Sequence, residues 1–150
     1  MSAWIVVIAD DLNDYLVAAQ MSALRTAALG SSQNDPFANV MHDRCNYIRN
    51  RISKRIQISS TAYAVPPELK TCACLLVIEA MQARIPSLKL TEDQKTLIKR
   101  AYADLDIAVK DELPISTPDD PMEPTVQSGT SVTLVQSRTR KSTRDKMEGL

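Results

Sequence analysis

Apolar residues recur at Leu12, Leu16, Ala19, Ala23 and Ala27, the three-and-four spacing that aligns side chains on one face of an α-helix. The spacing predicts a first helix over Asp10 to Leu29. A second stripe, Val17, Met21, Leu24 and Ala28, runs beside the first, so the apolar surface is wider than one neighbouring helix covers. Its further partners are other helices of the same chain or another subunit, and the pattern fits both. Gly30 to Asn34 is a polar break, after which Asp35 and Pro36 suit the cap and first turn of a second helix. That helix is expected to run to about Ile56 with Phe37, Met41, Cys45, Ile48, Ile52 and Ile56 as its apolar stripe.

Gln57 to Val65 places Ile58, Thr61, Tyr63 and Val65 among small polar residues, a β-compatible composition too short for a sheet, and reads as an extended connector. Pro66-Pro67 ends it. Proline lacks an N–H and has a preset φ, so Pro67 belongs at the first position of a third helix, with Leu69, Cys72, Ala73, Leu76, Ala80 and Ala83 on one face and Pro86 as its stop. Thr91-Glu92-Asp93-Gln94 is a capping box for a fourth helix. Its expected core stripe is Leu97, Ala101, Leu105, Ala108 and Val109, and Pro114 halts it by about Leu113.

From Pro114 the composition changes. Pro114, Pro118, Pro121 and Pro124 stand among Asp119, Asp120 and Glu123, and such a segment buries too little apolar area to offset an ordering cost of roughly 1–2 kcal/mol per residue. The expectation is therefore a mostly α fold with two parts: a four-helix domain over 1–113 and an extended C-terminal arm over 114–150. Within the arm Val132, Leu134 and Val135 form a short β-compatible stretch able to pair with a partner's strand edge, and Arg138, Arg140, Lys141, Arg144 and Lys146 follow as a basic tail.

Composition narrows the function classes. The 150 residues, 44% of them apolar, suit one modest soluble domain. Eighteen basic residues balance eighteen acidic ones, which removes the global field of a protein that coats nucleic acid. No apolar run approaches the roughly 20 residues that span a bilayer, and Trp4 to Ala9 lacks the positive flank of a signal peptide. The expected origin is cytosolic, without membrane contact. Only three glycines occur, leaving no phosphate-binding glycine loop.

Candidate chemistry is sparse. With one histidine, His42, there is little from which to build an acid–base or nucleophilic centre. Cys45, Cys72 and Cys74 form no CxxC pair, and Cys72 and Cys74, two apart on a helix, point in different directions. Structural thiols are the expectation, with no cofactor, no metal and no enzyme activity. The pairs Asp10-Asp11 and Asp119-Asp120 lack EF-hand spacing and read as a helix cap and a solvated arm.

Local charge is more informative. Arg44, Arg49, Arg51, Lys54 and Arg55 crowd the second half of helix two, a positive field suited to phosphates or an acidic partner, or else a solvated face. Neither this cluster nor the tail has the interleaved aromatics of a single-strand binder. Trp4, Ile5 and Val7 lie in an apolar run that is either an anchor for a neighbouring subunit or packing for the chain's own helices.

The order helix, polar break, long helix, connector, Pro-Pro, helix, short break, helix resembles the head-to-tail adaptor proteins of tailed bacteriophages, in particular those of Mu-like prophages. The local match is Ala64-Val65-Pro66-Pro67-Glu68-Leu69-Lys70-Thr71-Cys72-Ala73, and the likeness covers about residues 4 to 113. The connector lacks a glycine where relatives often carry one, and the arm is longer than the family pattern. The resemblance implies a structural virion protein, made in the host cytoplasm and placed at the head–tail interface. It would form a homo-oligomeric ring, twelve-fold in the family, beneath the portal protein and above tail-completion or tail proteins, its channel passing genomic DNA without sequence readout. The competing expectation is a small helical DNA-binding protein of packaging or regulation, working through helix two or the basic tail.

Overall fold

A computed structural model describes residues 3–16, 18–26, 35–84 and 89–123 of the chain. It is mostly helical: a 3-10 helix over Ala9–Asp14 is followed by α1 (Ala18–Thr26), α2 (Phe37–Ile52), α3 (Lys70–Arg84, entered through a 3-10 turn Pro67–Leu69) and α4 (Glu92–Val109). No helix among the described residues is long and apolar enough to cross a membrane. The Gly30 to Asn34 break, the stop at Pro86 and everything after Glu123 lie outside the described residues.

α3 is the axis of the fold. Cys72 to Ile78 and then Met81 are buried, so this helix is apolar nearly all round, as a helix enclosed by neighbours must be. α2 and α4 pack on it and on each other, and the Ala9–Asp14 helix and the Pro67 turn also pack on it. α2 contributes Phe37, Cys45, Ile48 and Ile52 to the core, the expected stripe, with Met41 and Ile56 half-buried against it. The capping box of α4 forms as expected, Gln94 N donating to Thr91 Oγ1 at 3.2 Å and Thr91 N to Gln94 Oε1 at 3.0 Å.

Three local outcomes differ from the pattern. The single first helix is instead a 3-10 helix and a separate α1. Asp11 accepts from Ile8 N at 2.9 Å and pairs with Lys70 Nζ at 2.6 Å, while the Tyr15 hydroxyl donates to Thr71 at 2.9 Å; anchoring to α3 overrides helical continuation. On α4 the buried stripe is Ile98, Ala101, Leu105 and Ala108, and Leu97 stays 44% exposed. One residue is 100° of helix, and packing on α3 selected Ile98 over its neighbour. The connector needs a left-handed residue, and Tyr63 supplies it with φ 62, a conformation costing about 1–2 kcal/mol in a non-glycine residue. Its ring stacks on His42 with centroids 3.8 Å apart.

The described part of the arm, 114–123, lies along the connector as a strap, so the packed unit continues beyond Leu113. Ser60 N donates to Asp120 O and Met122 N to Ile58 O, both at 2.7 Å. On the connector's other end, Ile5 and Val65 exchange backbone hydrogen bonds of 2.9 and 2.8 Å.

Candidate interaction surfaces

The five cations of helix two have separate fates, set by where each falls around α2. Arg49 is buried, 6% exposed. Its guanidinium donates to Ser59 O at 2.8 Å, Thr61 O at 3.0 Å and Ala64 O at 2.7 Å, and its Cζ sits 5.9 Å from the centroid of the Trp4 ring. Burial lowers its pKa, and the carbonyls stand in for the water it has lost. Arg55 donates to Ala108 O at 2.7 Å and Leu113 O at 2.8 Å and pairs with Asp111, closing the C-terminal end of α4, where a cation also meets the negative end of the helix dipole. Asp111 itself is left-handed, φ 70. Arg51 pairs with Asp106 and lies over the Tyr47 ring. Arg44 is half-buried, its Nε enclosed without a hydrogen-bond partner. Lys54 is exposed and joins no ion pair among the described residues.

Arg49 and Arg55 therefore face the chain's own carbonyls and not an external phosphate. Both were expected among the outward cations; what the cluster lacks in sequence is any sign that two backbone segments far along the chain need charged donors. Arg51 and Lys54 remain at the surface, bordering a groove of about 490 Å³ with Tyr47, Asn50 and Val109.

Trp4 and Val7, two of the three candidates for a subunit contact, take the other course open to them and pack into the chain's own core at 8% and 0% exposure. Ile5 is half-buried in its bridge to Val65. The Trp4 indole N–H donates to Ser116 O of the strap at 2.9 Å. What the segment offers outward is Val6 and Ile8, 44% and 53% exposed. Among the described residues, Leu97, Ile107 and Met122 are the other large apolar side chains left exposed. Leu97 borders a second groove, about 340 Å³, with Leu75, Glu68 and Arg100. The arm candidates Val132, Leu134, Val135, Arg138, Arg140, Lys141 and Arg144 lie outside the described residues.

Asp120, expected as a solvated charge, is the clasp of the strap. Its carboxylate accepts from Ser59 Oγ at 2.7 Å, Ser60 Oγ at 2.9 Å, Thr61 N at 3.1 Å and Thr61 Oγ1 at 2.7 Å. Those donors hold its carboxyl well below the usual carboxylate range. The Ser59-Ser60-Thr61 triplet was the only available signal, and a run of hydroxyls in a connector is too common to name its partner.

The three thiols are buried. Burial pushes Cys45 up to about 11 and Cys72 and Cys74 up to about 12, which favours the protonated thiol over the nucleophilic thiolate at neutral pH. Among the described residues no group of three His, Cys, Asp or Glu side chains is placed to hold a metal ion. Tyr102, pushed up to about 12 by burial and by its 2.5 Å hydrogen bond to Glu79, stays a donor.

Comparison with protein-family models, curated proteins and solved structures finds no match to this chain.

Proposed function

We propose that the protein is a non-enzymatic assembly subunit, a head-to-tail adaptor that forms a ring between a phage portal and its tail-completion or tail proteins. The observation that supports the reading is the helix order, with Pro66-Pro67 opening α3 after the connector, the order on which the adaptor resemblance rests. Exposed apolar side chains on the N-terminal segment and α4 supply surfaces for neighbours. The DNA-binding alternative is weakened because Arg49 and Arg55, two of its principal cations, are engaged by backbone carbonyls. The proposed action is structural, and the surface-facing cations that remain would meet DNA in the channel through phosphates alone.

The test is light scattering of the full-length protein, alone and mixed with a candidate portal ring, beside a chain ended at Glu123. Ending the chain there keeps the strap, whereas cutting after Leu113 would remove the Ser116 and Asp120 contacts. Joining of the portal by the full-length chain supports the reading. Absence of portal binding together with DNA affinity that falls steeply with salt overturns it in favour of the DNA-binding protein.

A further inference from the structure

We infer that the groove between α2 and α4 docks the acidic N-terminal edge of a second copy of this chain; the inference rests on the ring-forming reading above. The groove is lined by Tyr47, Asn50, Arg51, Lys54 and Val109. Arg51 is held at its wall by Asp106 and by the Tyr47 ring, 5.9 Å from its Cζ. Lys54 is the groove's uncommitted cation among the described residues. An aromatic face, an aliphatic floor and one unpaired ammonium fit a carboxylate flanked by apolar side chains.

The same chain displays that combination elsewhere. Because Trp4 and Val7 turn into the core, Val6 and Ile8 face outward. Asp10 and Asp14 follow them, exposed and outside the ion pairs of the described residues. The two surfaces lie at different places around α2. Trp4 sits against Arg49, and at 100° per residue Tyr47, Asn50 and Arg51 centre roughly 150° around α2 from Arg49. A contact between the groove of one copy and the N-terminal edge of the next is therefore heterologous, the kind that propagates in one direction and forms a ring when its rotation closes. A two-fold dimer through the groove would set its cations against their own copies.

Charge exchange in the full-length protein tests this. Lys54→Glu, and separately Asp10→Lys with Asp14→Lys, alter exposed side chains, and unchanged helical circular dichroism verifies the fold. Wild-type self-association, followed by light scattering against concentration, is expected to weaken with added salt and to fall at least about ten-fold in each variant. An equal mixture of the two variants is expected to associate again, because each groove then meets an opposite charge on the other chain. Self-association that both variants retain in full overturns this interface and leaves the ring reading standing on another face. A wild-type chain that stays monomeric alone and with the portal ring overturns both. Loss of DNA binding in Lys54→Glu with self-association unchanged also overturns the inference.

Discussion

Around α3, Cys72 to Ile78 are buried without a break, and the side chains pressed against them are apolar. Arg49 is buried too, yet the space around it is occupied by three carbonyl oxygens, an indole ring and the strap. The helical body rests on area removed from water, which tolerates small adjustments of packing. The seam rests on donors matched to acceptors, where one missing partner leaves the others buried and unpaired. Regular elements can be held by either means. Joining the N-terminal segment, the connector and the strap, none of which forms a sheet, requires the second.

The largest expected effect lies in the body. Leu76→Ala, at a fully buried site on α3, should cost about 3–5 kcal/mol in denaturant unfolding; a loss under about 1 kcal/mol would mean that the core collapses around the gap and would break the contrast. Arg49→Met comes next. It keeps roughly the length of the side chain but takes the guanidinium away from the Ser59 and Ala64 carbonyls and leaves Thr61 O with Ala64 N alone at 3.4 Å, for an expected loss of about 2–4 kcal/mol. Trp4, the only tryptophan, should report the loosened seam by red-shifted emission. Full rescue by Arg49→Lys would show that charge matters there and the forked geometry does not.

Thr91→Ala, which removes the α4 cap, should cost about 1 kcal/mol, with exchange of the first α4 amides accelerated and the Trp4 emission unmoved. The smallest effect belongs to the clasp. Asp120 has its carboxyl lowered by hydrogen bonds from Thr61, Ser59 and Ser60. Its contribution is therefore fully present above the ordinary aspartate value of 3.8 and is lost as the pH falls from there through the lowered folded value. Trp4 emission should stay constant down to that point and then shift as the strap loosens. In Asp120→Asn this acid-dependent step should vanish; its persistence would assign the shift to another carboxylate.

Sequence and structure agree where a single periodicity decides the outcome. Phe37, Cys45, Ile48 and Ile52 are legible as one face of α2, and Thr91 with Gln94 as the start of α4. Agreement stops where two patterns compete. Leu97 and Ile98 both continue the series Ala101, Leu105, Ala108 at helical spacings, and only the position of α3 chose between them. For the candidate surfaces little was legible. Five clustered cations look alike along the chain, yet Arg49 closes the seam, Arg55 closes α4, and Lys54 is left outward.

What the sequence by itself determined is the mostly helical class, the helix starts at Pro67 and Thr91, and the amphipathic face of α2, because these depend on residues three or four apart whose interactions are local. Only the tertiary structure decided the split of the first helix, the left-handed Tyr63, the inward turn of Trp4 and the clasp of Asp120 on Ser59, Ser60 and Thr61. Each of these depends on a partner tens of residues away, and a hydrogen-bond donor does not record in its own neighbourhood which distant acceptor it will meet.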